Sequence, residues 1–334
     1  MSAPAKAKAG KLKFWQGVNQ ALFEEMERDP STLLIGEDVA RVGGPYGITR
    51  GLLDAFGPSR VRDTPISEAL LVGLGTGSAA VGMRPIVEIM FFDFAMLAMD
   101  QIVNQAAKYR YFTGHSLPLT IRTMCGAGGP NGAQHSQNIE AWFCSVPGLK
   151  VVMPSNAADA KGLLKSAIRD DDPTLFIETQ GLLTARREVP AGEHLVEIGK
   201  AAVRREGEDL TMVAIGRMVD RSLEAAEQVE DDGIAVEVID PRTLSPFDAE
   251  TVIESVRRTS RLLVAAEATA PCSFAAEVCA RVAESCLGQL AAPPVRVTSP
   301  FINIPTPVPL AEARAPGVDD VASAIRACVG KEQR

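Results

Sequence analysis

The chain has 334 residues, 46% of them hydrophobic and 23% charged, with a formal net charge of −8. That length accommodates two domains of ordinary size, each with its own core. The acidic balance argues against a nucleic-acid or anionic-membrane partner, since both require a basic face, and the apolar stretches break well short of the ~20 residues of a membrane span. Residues 1–13 hold Ala and four Lys without an apolar signal core, so they read as a short disordered lead rather than a targeting peptide. The cysteines at 125, 144, 272, 279, 286 and 328 form no close pair and no Cys-His grouping of the kind that holds zinc, which makes reduced thiols in the cytoplasm the expectation. Cys272, Cys279 and Cys286 recur every seven residues, on one face of an expected helix, as small buried hydrophobes.

In chain order, Val18, Leu22 and Met26 recur every four residues and predict an amphipathic helix over 15–28, closed by Asp29-Pro30. Short apolar runs at 33–35, 86–91, 119–124, 151–153 and 175–177 read as buried strands, with helices near 68–81, 94–109 and 157–169 between them. Alternation of this kind implies a mostly parallel sheet covered on both faces. Charged and Pro/Gly-containing sequence between Gly181 and Gly199 marks a boundary, giving domains at 14–185 and 201–330 with a linker at 186–200. Past it, strands at 210–215, 235–239, 262–266 and 295–298 alternate with helices at 219–229, 248–257, 272–286 and 318–328.

One stretch stands out, Arg62-Asp63-Thr64-Pro65-Ile66-Ser67-Glu68. Pro65 keeps the residue before it extended, and Ser67 suits the N-cap of the helix 68–81. That helix is apolar on all faces, which predicts full burial. Its one acid, Glu68, then lies at the first turn, where desolvation raises a carboxyl's pKa and the helix N-terminus lowers it. From position alone, Glu68 reads equally as a capping acid and as a functional one. Gly75-Thr76-Gly77-Ser78 imitates a dinucleotide fingerprint but lacks the preceding strand and the acid ~20 residues on. Gly73 and Gly77, four apart, instead allow another helix to approach closely.

Asp63-Thr64-Pro65-Ile66-Ser67-Glu68, the Gly-rich 126–137 ending in Gln134-His135-Ser136-Gln137, and Pro147-Gly148-Leu149-Lys150-Val151-Val152-Met153-Pro154 together resemble one family. It is the beta subunit of the thiamine-diphosphate-dependent dehydrogenase component of 2-oxo acid dehydrogenase complexes, of pyruvate, branched-chain and acetoin types, and the likeness runs from about Phe14 to about Val329. It implies an α/β chain of two domains, an N-terminal pyrimidine-binding parallel-sheet domain and a C-terminal transketolase-type α/β domain. The connection Asp240-Pro241-Arg242-Thr243-Leu244-Ser245-Pro246-Phe247-Asp248 is similar to that of the C-terminal transketolase-type domain.

The resemblance assigns Glu68 as the carboxyl hydrogen-bonded to a pyrimidine nitrogen of thiamine diphosphate, with Ile66 beside it. It assigns Phe94 as the aromatic packed on that ring, a residue that by type alone reads equally as core. His135 matches the histidine that assists proton handling and acyl transfer, whereas His115 and His194 have no match and read as surface loop residues. Leu119, Ala167, Ile168, Asp170 and Asp172 match positions that hold a potassium ion, largely through carbonyls, with Asp172 where relatives can carry Asn. Glycines 73 and 77 match a subunit contact.

The diphosphate and its Mg²⁺ require oxygen ligands, supplied in this superfamily by a Gly-Asp-Gly motif that this chain lacks. The chain thus reads as half an active site, completed by an alpha subunit in an alpha2beta2 heterotetramer that supplies the Mg²⁺ site, and serving a lipoyl-bearing dihydrolipoyl acyltransferase. Other readings are an acetoin dehydrogenase beta subunit, a non-catalytic assembly subunit docking the acyltransferase core, and a stand-alone transketolase-like enzyme. The presence of both Glu68 and His135 argues against the second, the missing diphosphate motif against the third. Segments 268–274 and 300–305 depart from the family pattern, which bears on contacts of the C-terminal domain rather than on chemistry.

Overall fold

Phe14, Val18, Leu22 and Met26 come together on one face of α1 (Phe14–Arg28), and that face is fully buried. The computed structural model describes residues 10–129 and 131–330, and its chain divides into two units. The first unit takes the chain as far as Cys125 and adds Trp142–Ile198. Its strands are β1 (Gly10–Lys13), β2 (Thr32–Gly36), β3 (Val61–Asp63), β4 (Arg84–Ile89), β5 (Thr120–Cys125), β6 (Lys150–Val152), β7 (Thr174–Thr179) and β8 (Arg186–Val189). Within it the strands run β6-β7-β5-β4-β2-β3, all parallel, while β1 pairs antiparallel with β8. The lead expected at 1–13 therefore ends in a strand from Gly10, its first nine residues lying outside the described ones. The linker expected at 186–200 likewise begins as a strand.

Helices α2 (Leu52–Phe56), α3 (Glu68–Ala80), α4 (Tyr109–Thr113), α6 (Ala157–Arg169) and, from Trp142 on, α5 (Glu140–Cys144) complete this part of the chain. Ile86, Met124 and Phe176 from the sheet meet Phe14 and Leu22 of α1 and Leu163 and Leu164 of α6 in one core, each such side chain worth ~1.5–3 kcal/mol of burial. The runs expected as purely apolar strands also carry a buried triad. Arg122 on β5 donates to Glu88 on β4 at 2.6 Å and to Glu178 on β7 at 2.6 and 2.9 Å. Burial pushes both carboxyls up while Arg122 draws them down, and one cation facing two buried acids favours a retained proton.

Three expectations change here. The helix expected at 94–109 is a 3-10 stretch (Phe92–Ala98), a π-helical turn (Gln101–Ala106) and then α4. Packing decides this: Phe92 stacks on Phe143 at 5.1 Å, and α3 lies against both irregular stretches, so tertiary context overrides propensity. Helix α3 buries only one face. Leu71, Val72, Gly75 and Ala79 turn inward, whereas Leu70 is 58% and Leu74 45% exposed, because one chain covers only the side toward β4. The glycine that lets α3 approach the sheet is Gly75, whose missing Cβ would lie 2.5 Å from Val87 Cγ2, while Gly77 faces open space. His194, expected on the surface, has its Nε2 buried without a partner among the described residues, beside Gly162 of α6.

The second unit takes Gly126–Ala141 and the chain from Gly199 onward. Strands β9 (Ala202–Arg205), β10 (Leu210–Ala214), β11 (Val236–Asp240), β12 (Thr243–Ser245), β13 (Leu262–Thr269) and β14 (Val295–Ser299) alternate with α7 (Met218–Gln228), α8 (Ala249–Thr259), α9 (Phe274–Cys286), α10 (Val308–Arg314) and α11 (Val318–Val329). The sheet order is β14-β13-β10-β11-β9, with β9 antiparallel to β11 and the others parallel. Met212, Val236 and Leu263 pack against Val219 of α7 and Ile325 of α11. Cys272 does not share a helix face with Cys279 and Cys286. It precedes the N-cap Ser273, has φ +52° and is exposed, whereas Cys286 is buried, because α9 starts only after Pro271-Cys272-Ser273. No disulfide joins any of the six cysteines.

Candidate active site

The carboxyl ends of parallel strands are where α/β sheets gather ligand-binding groups, and the first unit puts its acids there. Strand β2 ends at Gly36, followed by Glu37 and Asp38, and β3 ends at Asp63. Asp63 accepts hydrogen bonds from the amides of Ala40 at 2.7 Å and Arg41 at 3.2 Å, and the Thr64 amide donates to Gly36 O at 3.0 Å. These bonds fasten the turn after β2 to the strand that leads into Glu68.

Glu68 is the first residue of α3 and is 7% exposed. Ser67 holds the N-cap position without a side-chain capping bond, and the Glu68 carboxylate makes no hydrogen bond or ion pair with the described residues. Neither Ser67 nor Glu68 closes the helix start with a side-chain capping bond. Burial, then Asp38 and Glu68, raises the neighbouring Glu37 carboxyl above the usual range. Glu37 escaped the sequence reading, although an acid directly after a buried parallel strand is a usable signal.

Ile66 lies ahead of α3 and is 71% exposed. Phe94 is half-buried on the 3-10 stretch that packs against α3, and meets Phe91 edge-on at 6.3 Å. Glu68, Ile66 and Phe94 thus share the first unit, with a little-exposed, unpartnered acid and a half-open aromatic ring. Those features fit the pyrimidine end of thiamine diphosphate, which needs a hydrogen-bonding carboxyl and an apolar face.

His135 belongs to the second unit. It follows a 3-10 turn at Gly132–Gln134, and its amide donates to Gly132 O at 3.5 Å. Gly132 has φ +66°, and a Cβ there would lie 2.6 Å from Thr306 Oγ1. Ala127 of the same segment packs with Ile304 and Ala311. The unusual 300–305 segment therefore touches, through Ile304, the stretch that carries His135.

The five positions assigned to potassium gather where α6 ends and β5 begins. Leu119 O accepts from the Thr174 amide, Ala167 O from the Asp170 amide, and Arg84 Nη1 donates to Ile168 O at 3.2 Å and Asp170 O at 2.9 Å. Asp170 pairs with Lys150 at 2.6 Å and Asp171 with Arg84 at 2.7 Å, and Asp172 pairs with Arg110. With the acids paired, an ion here would depend on the second lone pairs of carbonyls.

Residues 10–186 match the family described as transketolase, pyrimidine binding domain, and residues 199–320 that described as transketolase, C-terminal domain. The 2-oxoisovalerate dehydrogenase subunit beta of Bacillus subtilis is 45% identical over 87% of this chain and 90% of its own length. The acetoin:2,6-dichlorophenolindophenol oxidoreductase subunit beta of the same organism is 42% identical over 94% and 96%. The mitochondrial pyruvate dehydrogenase E1 component subunit beta-1 of Arabidopsis thaliana is 42% identical over 96% and 91%. Among solved structures, a split-gene transketolase described as an inactive beta4 tetramer superposes with TM-score 0.79 at 25% identity, covering 97% of this chain and 100% of that one. The chain belongs to the transketolase-type family of thiamine-dependent E1 beta subunits of 2-oxo acid and acetoin dehydrogenases.

Proposed function

We propose that this chain is the beta subunit of a 2-oxo acid dehydrogenase, which with an alpha partner decarboxylates pyruvate or a branched-chain 2-oxo acid and reductively acylates lipoyl groups of an acyltransferase. The observation that carries this reading is Glu68, a little-exposed carboxylate with no hydrogen bond or ion pair among the described residues, at the carboxyl end of the sheet. Thiamine diphosphate, when bound, supplies the nucleophilic carbon and the electron sink for decarboxylation. Glu68 holds and exchanges the proton at the pyrimidine nitrogen, the task of a positioned acid–base group. Phe94 and Ile66 give the ring an apolar face. His135 delivers the proton needed by the departing dithiolane sulfur. The exposed face of α3, with Leu70, Leu74 and Gly77, is the surface we assign to subunit contact in an alpha2beta2 assembly. No helix among the described residues is long and apolar enough to cross a membrane.

The half-site reading makes a direct demand on the isolated chain. Purified alone, it is expected to show no 2-oxo acid decarboxylase activity and weak thiamine diphosphate binding, because the motif for the diphosphate end belongs to the partner. Titration calorimetry decides this, and micromolar Mg²⁺-dependent binding to the chain alone would refute the half-site. Potassium is a second, smaller proposal, with Leu119, Ala167, Ile168, Asp170 and Asp172 as its shell. A ligand held at about ten times its Kd stabilises by about 1.4 kcal/mol, so the melting temperature should rise by a few degrees when potassium replaces choline. An unchanged melting temperature removes the ion from the account.

A further inference from the structure

The segment Gly126–Ala141 meets the rest of the second unit at two places, Ala127 against Ile304 and Ala311, and Gly132 against Thr306. Near its end lies Glu140, the first residue of α5, which is 2% exposed and in the field of Glu267. Its Oε2 is buried without a hydrogen-bond partner among the described residues.

The charges around Glu267, the acid that acts on Glu140, are already engaged with one another. Glu267 on β13 meets Arg217 Nη2 at 2.5 Å, Arg217 Nη1 reaches Glu312 of α10 at 3.0 Å, and Arg221 of α7 takes the same carboxylate at 3.1 Å. Arg314 of α10 is desolvated within reach of the Glu267 field, and His135 is the other titratable group of the segment. Among the described residues Glu140 therefore has no ion pair, and it faces the like charge of Glu267. Burial first, with Glu267 adding and the residue's own amide opposing, pushes its carboxyl up to about 7. A buried carboxylate without a cation is tolerated only while it is neutral.

We propose that Glu140 is a positioning residue for His135: its protonated carboxyl keeps the segment Gly126–Ala141 seated on the second unit, and loss of that proton unseats the segment. The functional consequence rests on the reading of His135 as the proton donor in acyl transfer. Seated, Glu140 titrates near 7, and freed into water it titrates near the ordinary 4.5. Seating therefore weakens as pH rises from the lower value to the higher, and weakens no further above it. Acyl transfer follows the seated fraction, whereas decarboxylation, carried by Glu68 in the first unit, does not.

Hydrogen exchange on the isolated chain tests the seating without any cofactor. Corrected for intrinsic chemistry, protection of the 126–141 amides should fall by up to about two orders of magnitude between about pH 5 and about pH 7. Glu140→Gln, which cannot ionise, should hold its protection throughout. The same loss in Glu140→Gln would overturn the proposal. Glu267→Gln, which removes the like charge, should move the transition to lower pH, and an unmoved midpoint overturns it too. In enzyme reconstituted with its alpha partner, Glu140→Gln and wild type should acylate lipoamide alike near pH ~5. Near pH ~8 the variant should be at least about tenfold faster, as the size of the seating term allows, with decarboxylation to an artificial acceptor unchanged. Exchange behaving as described with no such gain would retire the link to acyl transfer, and with it the His135 assignment, while leaving the proton on Glu140 established.

Discussion

Glu68→Gln, reconstituted with its alpha partner, is expected to bind thiamine diphosphate nearly as well as wild type and to lose turnover by about 10²- to 10⁴-fold, the range of a positioned acid–base group. Glutamine keeps the length and the planar end, and its amide N–H can donate to the ring nitrogen, which therefore still has a neighbour. What it lacks is a proton that can pass back and forth. The surroundings offer no replacement in the same place, since Glu68 is little exposed and unpartnered at the start of α3. Glu37, whose carboxyl is raised by burial, Asp38 and Glu68, belongs to the turn after β2 and not to the helix that presents Glu68. Steady-state turnover with an artificial electron acceptor measures the effect, alongside calorimetric cofactor affinity. A variant within a few fold of wild type would take Glu68 out of the mechanism.

The second large effect is expected from His135→Ala, and it is a difference between two assays rather than a single loss. Decarboxylation needs the pyrimidine proton exchange that Glu68 performs. Passing the acyl group to lipoamide also needs a proton for the departing sulfur, and imidazole is the side chain suited to give one near neutral pH. The variant should therefore keep a larger share of decarboxylation than of lipoyl acylation, with a gap of at least about tenfold. Equal losses would mean that His135 serves the first half-reaction, or only holds its segment in place, and the acyl-transfer role would then be dropped.

The two-domain α/β architecture, the strand series and Glu68 at a helix start were legible in the residues, because hydrophobic periodicity and the constraint of Pro65 act over a few positions. The family was legible for the same reason, being carried by short ordered motifs. The sequence could not show that Gly126–Ala141 groups with the second unit, since that grouping rests on Ala127 meeting Ile304 and Ala311, more than 170 residues away. Nor could it show that α3, apolar on every side, covers only one face within its own chain, because composition says how much surface needs covering and not which chain covers it. Arg122 between Glu88 and Glu178, and Glu140 near Glu267, belong to the same kind of fact. Single charges in apolar runs look like interruptions until parallel strands and a folded-back segment put them side by side, and what buried charges do depends on which neighbours the fold places within reach. Local chemistry along the chain thus determined the elements and drew attention to Glu68, and the tertiary structure alone decided which charged side chains lie together, because electrostatic energy depends on distance in space and on burial, neither of which is linear in sequence.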